Sequence, residues 1–334
     1  IESGEHIGVL PEGMKWRWRN IMGIEGMLWT YSMTGNSDLL DYAVAEWEAG
    51  SAFELNMDEI MSDRSPYMHG VTYCEEMKLP MLLYAYTGEQ KYLDAAVRAD
   101  EKLLRHHILP DGVPSSNEHL DGNDPLTSHE TCDITDYTWS LGYYLMTTGD
   151  AVYADAIEKA VFNAGPGAVT KDFKALQYFS SVNQFIATGD SDHNEFKKGS
   201  TWMAYRPTHE TECCAGNVHR FMPNYVSRMW LEGETEGELV AAMYGPSEVC
   251  HELPDGNIVT VTEDTAYPFG NEIRFVFSMD KSARFPFTFR VPSWCGDAEI
   301  RINGSGYDVM PDENGFSTVD RRDRDRDVVP LSLE

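Results

Sequence analysis

Thr87-Gly88, followed by Lys91-Tyr92-Leu93-Asp94-Ala95-Ala96, has two counterparts in this chain. Thr34-Gly35 precedes Asp38-Leu39-Leu40-Asp41-Tyr42-Ala43, and Thr148-Gly149 precedes Ala151-Val152-Tyr153-Ala154-Asp155-Ala156. The three threonines lie 53 and 61 residues apart, the mark of an internal repeat of stacked helical hairpins. In each unit the glycine is expected to end one helix in the left-handed conformation. The next helix then starts within a few residues and runs back antiparallel. Around these turns, apolar residues recur at helical spacing over 16–34, 39–53, 71–86, 92–107, 134–147, 152–162 and 218–230. Repeated hairpins bury their apolar faces by closing into an α/α toroid or by stacking into a solenoid. Long loops interrupt the array at 108–129 and 165–208, and loops of that length are usually functional.

After about Gly233 the period changes from helical to two. The segments 238–244, 257–262, 272–278, 287–291 and 299–302 alternate apolar and polar residues between turn signals, which predicts an antiparallel β-sandwich. The sign-alternating run 320–327 reads as a solvated strand or turn. The expected domains are therefore a helical one over 1–234 and a β-sandwich over 235–334. About four helix pairs are visible, and the β region stops apparently mid-sheet. The chain thus reads as a fragment, short of N-terminal helices and of the end of the sandwich.

The chain has 334 residues, and 42% are hydrophobic, enough to bury two cores. Against 26 basic residues stand 55 acidic ones, a net charge of −29. Such a surface repels nucleic-acid backbones and anionic membranes and suits an acid-rich soluble protein. No apolar run of membrane-spanning length occurs, and residues 1–13 lack the basic and apolar regions of a signal peptide. A soluble cytoplasmic or periplasmic protein is expected. Six cysteines are too few for a disulfide scaffold.

Chemistry concentrates in Glu130-Thr131-Cys132 and Glu212-Cys213-Cys214, each opening a predicted helix after a long loop. A helix N-terminus lowers a thiol's pKa, and thiolates bind zinc strongly. Adjacent cysteines do not easily pair with each other, so Cys213 and Cys214 are expected reduced. With Cys132 and Glu130 they would complete a four-coordinate site. The plainer reading makes all three cysteines small buried hydrophobes. Glu118, in the loop before Glu130, is a candidate general acid if a partly apolar cleft raises its pKa; otherwise it is a solvated loop carboxylate, like Asp121 and Asp124. His69 reads as a helix cap or surface residue, and Tyr178 as a loop aromatic that packs the chain down.

These residues carry a resemblance. Glu-Thr-Cys at 130–132, Glu-Cys-Cys at 212–214 followed by Asn217 and Arg220, and Val291-Pro292-Ser293-Trp294-Cys295 resemble the β-L-arabinofuranosidase family of glycoside hydrolases, family 127. One departure is Ala215-Gly216-Asn217, where many members have Pro-Pro-Asn. The resemblance implies an (α/α)6 barrel followed by β-sandwich domains, and a retaining glycosidase with a zinc-bound cysteine nucleophile. It implies Glu130, Cys132, Cys213 and Cys214 as Zn2+ ligands, Cys213 as nucleophile and Glu118 as acid/base. It further implies His69, Glu158 and Tyr178 as contacts to the sugar or the nucleophile. The partner would be an oligosaccharide or polysaccharide bearing a terminal β-L-arabinofuranose or a related sugar, of plant or algal origin. A homodimer through the β-domain is an option for the oligomeric state. Two other readings stay open: a zinc-stabilised carbohydrate-binding or structural protein without catalysis, and a thiol redox protein built on Cys213-Cys214.

Overall fold

The computed structural model describes residues 23–49, 55–124, 126–191, 202–209 and 211–334. They fall into two compact units. One runs up to Thr147 and resumes over Lys159–Phe221; the other comprises Thr148–Glu158 and Met222–Glu334.

The first unit is mainly helical. Its elements begin with α1 (Gly23–Thr34), α2 (Ser37–Glu48), α3 (Met57–Met61), α4 (Gly70–Glu76), α5 (Lys78–Thr87), α6 (Gln90–His106), the short strands β1 (Ser116–Asn117), β2 (His119–Leu120) and β3 (His129–Glu130), and α7 (Thr131–Thr148). After α8 (Ala151–Phe162), which belongs to this unit only from Lys159, come α9 (Ala164–Ala168), β4 (Phe179–Ser180) and α10 (Cys213–Asn217), then a tight 3-10 turn, Val218–Arg220. The expected helices over 16–34 and 39–53 are seen as α1 and α2; residues 16–22 and 50–53 lie outside the described residues.

The Thr-Gly repeat has a local cause. Gly35, Gly88 and Gly149 all sit at positive φ, 70°, 69° and 65°. In each copy the threonine hydroxyl accepts the amide two residues on: Asn36 N to Thr34 Oγ1 at 3.3 Å, Glu89 N to Thr87 Oγ1 at 3.2 Å, Asp150 N to Thr148 Oγ1 at 3.2 Å. The hydroxyl thus satisfies a donor that the broken helix would leave bare. The alanines that follow also have a use. On α6, Tyr92, Ala95, Ala96, Ala99 and Leu103 form one buried face. The small side chains let Tyr73 and Tyr144 donate their hydroxyls to Ala99 O (2.9 Å) and Ala96 O (2.8 Å).

Two expected helices are corrected. The one over 71–86 is two helices, α4 and α5, broken at Met77. Pro80 has no N–H to give the carbonyl of Glu76, so the ladder cannot run through. The one over 218–230 ends at Val226, and Trp230 opens a strand.

The second unit holds α11 (Phe221–Val226) from Met222 on, and ten strands. These are β5 (Trp230–Glu232), β6 (Leu239–Ala241), β7 (Ser247–Glu252), β8 (Ile258–Thr265), β9 (Glu272–Met279), β10 (Ala283–Arg290), β11 (Ala298–Ile302), β12 (Ser305–Tyr307), β13 (Phe316–Asp323) and β14 (Val328–Leu333). They form a four-stranded sheet in the order β13-β10-β6-β5 and a six-stranded sheet in the order β12-β11-β14-β9-β8-β7. Alternation puts Phe275 and Phe277 of β9 on the same side, against Phe287 of β10, with ring centroids 5.0 and 5.2 Å apart. That aromatic seam is the core between the sheets. The all-antiparallel expectation needs one correction, because β6 pairs parallel to β10. The charged run 320–327 is half strand: β13 runs to Asp323, with Asp320 paired to Arg284.

Within this unit Arg290 is fully buried. Its guanidinium bonds Asp155 and Glu158 from the first part of α8, and its Nε donates to Ala242 O at 2.8 Å. Removing one member of a buried pair leaves the other charge without a partner. Arg290→Ala is expected to cost about 3–5 kcal/mol, read as a lower urea midpoint of the β-unit's unfolding transition.

Candidate active site

The site is assembled in the helical unit from stretches far apart in sequence. β3 pairs with β4, Glu130 opposite Phe179. Buried His129 anchors β3 through Asp111, at 2.8 Å. Thr131 seals the junction, its amide donating to Tyr178 O (2.9 Å) and its hydroxyl to Gln177 O (2.7 Å). The chain then turns directly into α7, and Asp133 caps it by accepting the Glu130 amide at 3.1 Å. Glu130 is therefore the last residue before a helix and Cys132 the second within it. Cys213 and Cys214 are likewise the first residues of α10.

The two helix starts meet. Cys132 Sγ lies 3.3 Å from Cys214 Sγ, and Glu130 Oε1 lies 3.3 Å from both Cys213 Sγ and Cys214 Sγ. One ligand atom from each of the four residues falls within 4.8 Å of all the others. Cys132, Cys214 and Glu130 are buried, while Cys213 is exposed. A tetrahedral zinc with bonds of 2.0–2.3 Å would set its ligands about 3.5–3.8 Å apart. The observed contacts are short of those edges by only ~0.2–0.5 Å, so small outward shifts admit the ion. The chemistry argues the same way. Glu130 has an oxygen, Oε2, with no hydrogen-bond partner although the residue is fully buried. Burial first, then Asp133 and Cys213, push its carboxyl well above the usual range. A largely buried S3O set of this kind fits a divalent cation.

Cys213 is the distinctive sulfur. Hydrogen bonds from Cys132 and Cys214, then from Tyr178, hold its thiol far below the ordinary range against the cost of its partial burial. Tyr178 OH is 3.0 Å from this Sγ. Burial, then Glu130, push the phenol up, so it stays protonated and donates. Behind the cluster, Asn217 Nδ2 donates to Cys132 Sγ at 3.3 Å. Arg220 fixes that amide's orientation by donating to Asn217 Oδ1 at 3.1 Å, and buried Asp136 holds Arg220 at 3.1 Å. The sequence showed Asn217 and Arg220 as part of a motif without giving them work. Their signal is spacing: Asn217 stands three residues after Cys214, on the same helical face.

Cys213, Glu130, Tyr178, His69 and Glu118 all line one cavity of about 450 Å³, with Glu75, Glu76, Thr211 and Asn217 also in its wall. Glu118 reaches it from the hairpin tip between β1 and β2, at φ 67°. Its carbonyl accepts the Gly70 amide at 2.8 Å. Gly70 is required there, because a Cβ would collide with Ser116 Oγ. His69 caps α4, its Nδ1 accepting the Thr72 amide at 3.2 Å. Its Nε2 faces two carboxylates, Glu118 Oε2 at 3.5 Å and Glu130 Oε2 at 3.9 Å.

Glu158 is the expected site residue that is not brought here. It does not line this cavity; its carboxylate belongs to Arg290 and Tyr267 in the β-unit. A guanidinium with no access to water needs buried acceptors, and that demand claims Glu158.

A cysteine-rich, metal-competent cluster faces a cavity with carboxyl groups in its wall, in a helical unit followed in the chain by a sandwich. Sequence comparison supplies the family. The profile of the GH127 β-L-arabinofuranosidase catalytic domain matches residues 11–227, and that of the GH127 middle domain matches residues 238–334. The chain belongs to glycoside hydrolase family 127. Among solved structures, one described as a glycoside hydrolase matches 95% of this chain and 56% of its own, with a TM-score of 0.78 at 19% identity. A GH127 β-arabinofuranosidase matches 93% of this chain and 51% of its own, with a TM-score of 0.77 at 17% identity. A GH127 β-L-arabinofuranosidase from Geobacillus stearothermophilus T6 gives 0.71 at 19% identity, over 93% and 53%. At these identities the likeness is one of fold. The chain spans about half the length of these structures. No match is found among curated proteins. Among the described residues, no helix is long and apolar enough to cross a membrane.

Proposed function

We propose that this protein is a retaining exo-glycosidase whose nucleophile is Cys213. The observation that carries the reading is the convergence of Glu130, Cys132, Cys213 and Cys214, with only Cys213 exposed, in the wall of a cavity that also holds Glu118. The helical unit is read as part of an (α/α)6 toroid, the catalytic domain of 1–234, with the sandwich of 235–334 as its companion. Glu130, Cys132, Cys213 and Cys214 would hold Zn2+, which when bound favours the thiolate form of its sulfur ligands.

This chain's own groups do the rest. Cys213 Sγ attacks the anomeric carbon as Glu118 passes its proton to the leaving oxygen. The C–O bond breaks and a thioglycosyl enzyme forms. Glu118 then takes a proton from water, which displaces Cys213 from the opposite face, so configuration is retained. A thiolate here fills the place of the second carboxylate that most retaining enzymes keep about 5–5.5 Å from the first. Tyr178, donating to Cys213 Sγ, orients the nucleophile. His69 contacts the acid/base and the sugar. The substrate is a glycan ending in β-L-arabinofuranose or a related sugar.

The test joins metal content to turnover. The purified protein is expected to carry one zinc and to hydrolyse an aryl β-L-arabinofuranoside. A strong chelator should remove both, and added zinc restore both. Zinc without turnover of any aryl furanoside or pyranoside would mean a structural site and end the proposal. Asn217→Ala is expected to weaken zinc binding roughly 10–100-fold, as removing the hydrogen-bond partner of a ligand typically does. Chelator competition measures it.

A further inference from the structure

We propose that the cavity holds a second divalent-cation site beside the thiolate cluster, formed by His69 Nε2, Glu118 and the outward oxygen of Glu130, and that zinc entering it arrests the enzyme. The arrest rests on the function proposed above; the binding does not.

Glu130 supplies the first argument. It is fully buried, and its Oε1 is engaged by the sulfurs of Cys213 and Cys214. Oε2 points the other way, toward His69, and has no hydrogen-bond partner. A carboxylate oxygen buried without a partner is costly, and a cation placed against it removes that cost. The second argument is spacing. Nε2 of His69 is 3.5 Å from Glu118 Oε2 and 3.9 Å from Glu130 Oε2, and the three ligand atoms all lie within 4.8 Å of one another. These separations are too long for direct hydrogen bonds. Ligands of a tetrahedral zinc with nitrogen and oxygen bonds of 2.0–2.1 Å stand about 3.3–3.4 Å apart. The group is therefore set for a shared ion better than for a shared proton.

The supporting shell is present. A metal-bound histidine donates its other ring N–H. Thr72 Oγ1, 2.9 Å from Nδ1, accepts it once the ring gives up its capping bond to the Thr72 amide. Glu130 would serve both sites, with Oε1 toward the cysteines and Oε2 toward His69. Cavity water fills the remaining position. Glu75 and Glu76 in the same wall add no basic group to oppose a cation. An ion bound here occupies the oxygen of Glu118 that must carry the proton, so binding and catalysis exclude each other.

Cobalt reads the two sites apart. Metal-free protein is titrated with Co2+ and its absorption followed. The first equivalent should bring the strong near-ultraviolet band of cobalt bound to thiolate. A second should add weak visible absorption without more of that band. Glu118→Gln and His69→Gln, each checked for fold by circular dichroism, should keep the first equivalent and weaken the second by at least about tenfold, since losing even a ligand's hydrogen-bond partner typically costs that much. In protein loaded with one zinc, the hydrolysis rate should fall as further zinc fills the second site. Saturation at one equivalent with the thiolate band overturns the inference. So does a second equivalent that neither substitution affects, since exposed carboxylates would then be holding it. Uptake that depends on Glu118 and His69 with no thiolate band would sustain this site and sink the function proposed above.

Discussion

Cys213→Ser is expected to lower kcat/KM by a factor on the order of 10⁴–10⁶, the range seen when one member of a catalytic set is removed. The loss follows from the geometry. Cys213 is the one sulfur of the cluster that is exposed, and its neighbours stabilise its charge. Serine keeps the size of the side chain and can keep a hydrogen bond to Tyr178, so the fold should survive. It presents a neutral hydroxyl, far less acidic than a thiol, where a thiolate stood. Cys132→Ser separates chemistry from metal retention. That sulfur is buried, so its loss should act through weakened metal binding, with turnover falling in proportion to the zinc retained. Steady-state rates with zinc measured on the same samples give both answers. Turnover by Cys213→Ser within tenfold of the parent, at unchanged zinc content, removes Cys213 as nucleophile.

For Glu118→Gln the expected loss is about 10²–10⁴-fold on a glycoside with a sugar leaving group, the usual contribution of a general acid. The glutamine side chain keeps the shape of the hairpin tip but cannot give up a proton. An aryl glycoside whose phenol leaves without protonation should form the thioglycosyl enzyme almost as fast as with the parent. The second step still lacks its base, so such a substrate should give a burst of phenol followed by slow release. Added azide, which attacks without first losing a proton, should restore turnover and give the β-glycosyl azide. Equal losses on both kinds of substrate, with no burst, would place the acid elsewhere in the cavity wall, and Glu75 and Glu76 would be next to test.

The fold was legible where local rules and the long-range packing agree. The Thr-Gly copies announced three helix ends, because a left-handed glycine and a threonine hydroxyl solve the same backbone problem each time. The period-two segments announced β9 and β11 to within one residue and the first part of β8, which runs three residues further. Legibility failed where a single residue overrode a pattern. Pro80 split a helix whose apolar spacing continues through it. β13 was only half legible because its outward face, Thr318, Asp320 and Arg322, carries no apolar residue, with Asp320 paired to Arg284 of β10. At the site, the cysteines and Glu130 showed themselves by position at helix starts. Glu118, His69 and Tyr178 had plain readings, as a loop acid, a cap and a packing aromatic, and only the family resemblance raised them above those. His69 turns out to be a cap and a cavity residue at once. Glu158 could not have been read correctly from one segment, because its partner Arg290 is 132 residues away.

That last pairing bears on how the protein can be dissected. A cut near residue 234, where the composition changes, would free a sandwich with Arg290 inside it and neither Asp155 nor Glu158 to neutralise it. The piece that stands alone must carry Thr148–Glu158 as well, a stretch that ends partway along α8. Anyone trimming this chain for expression would do well to graft that arm back on.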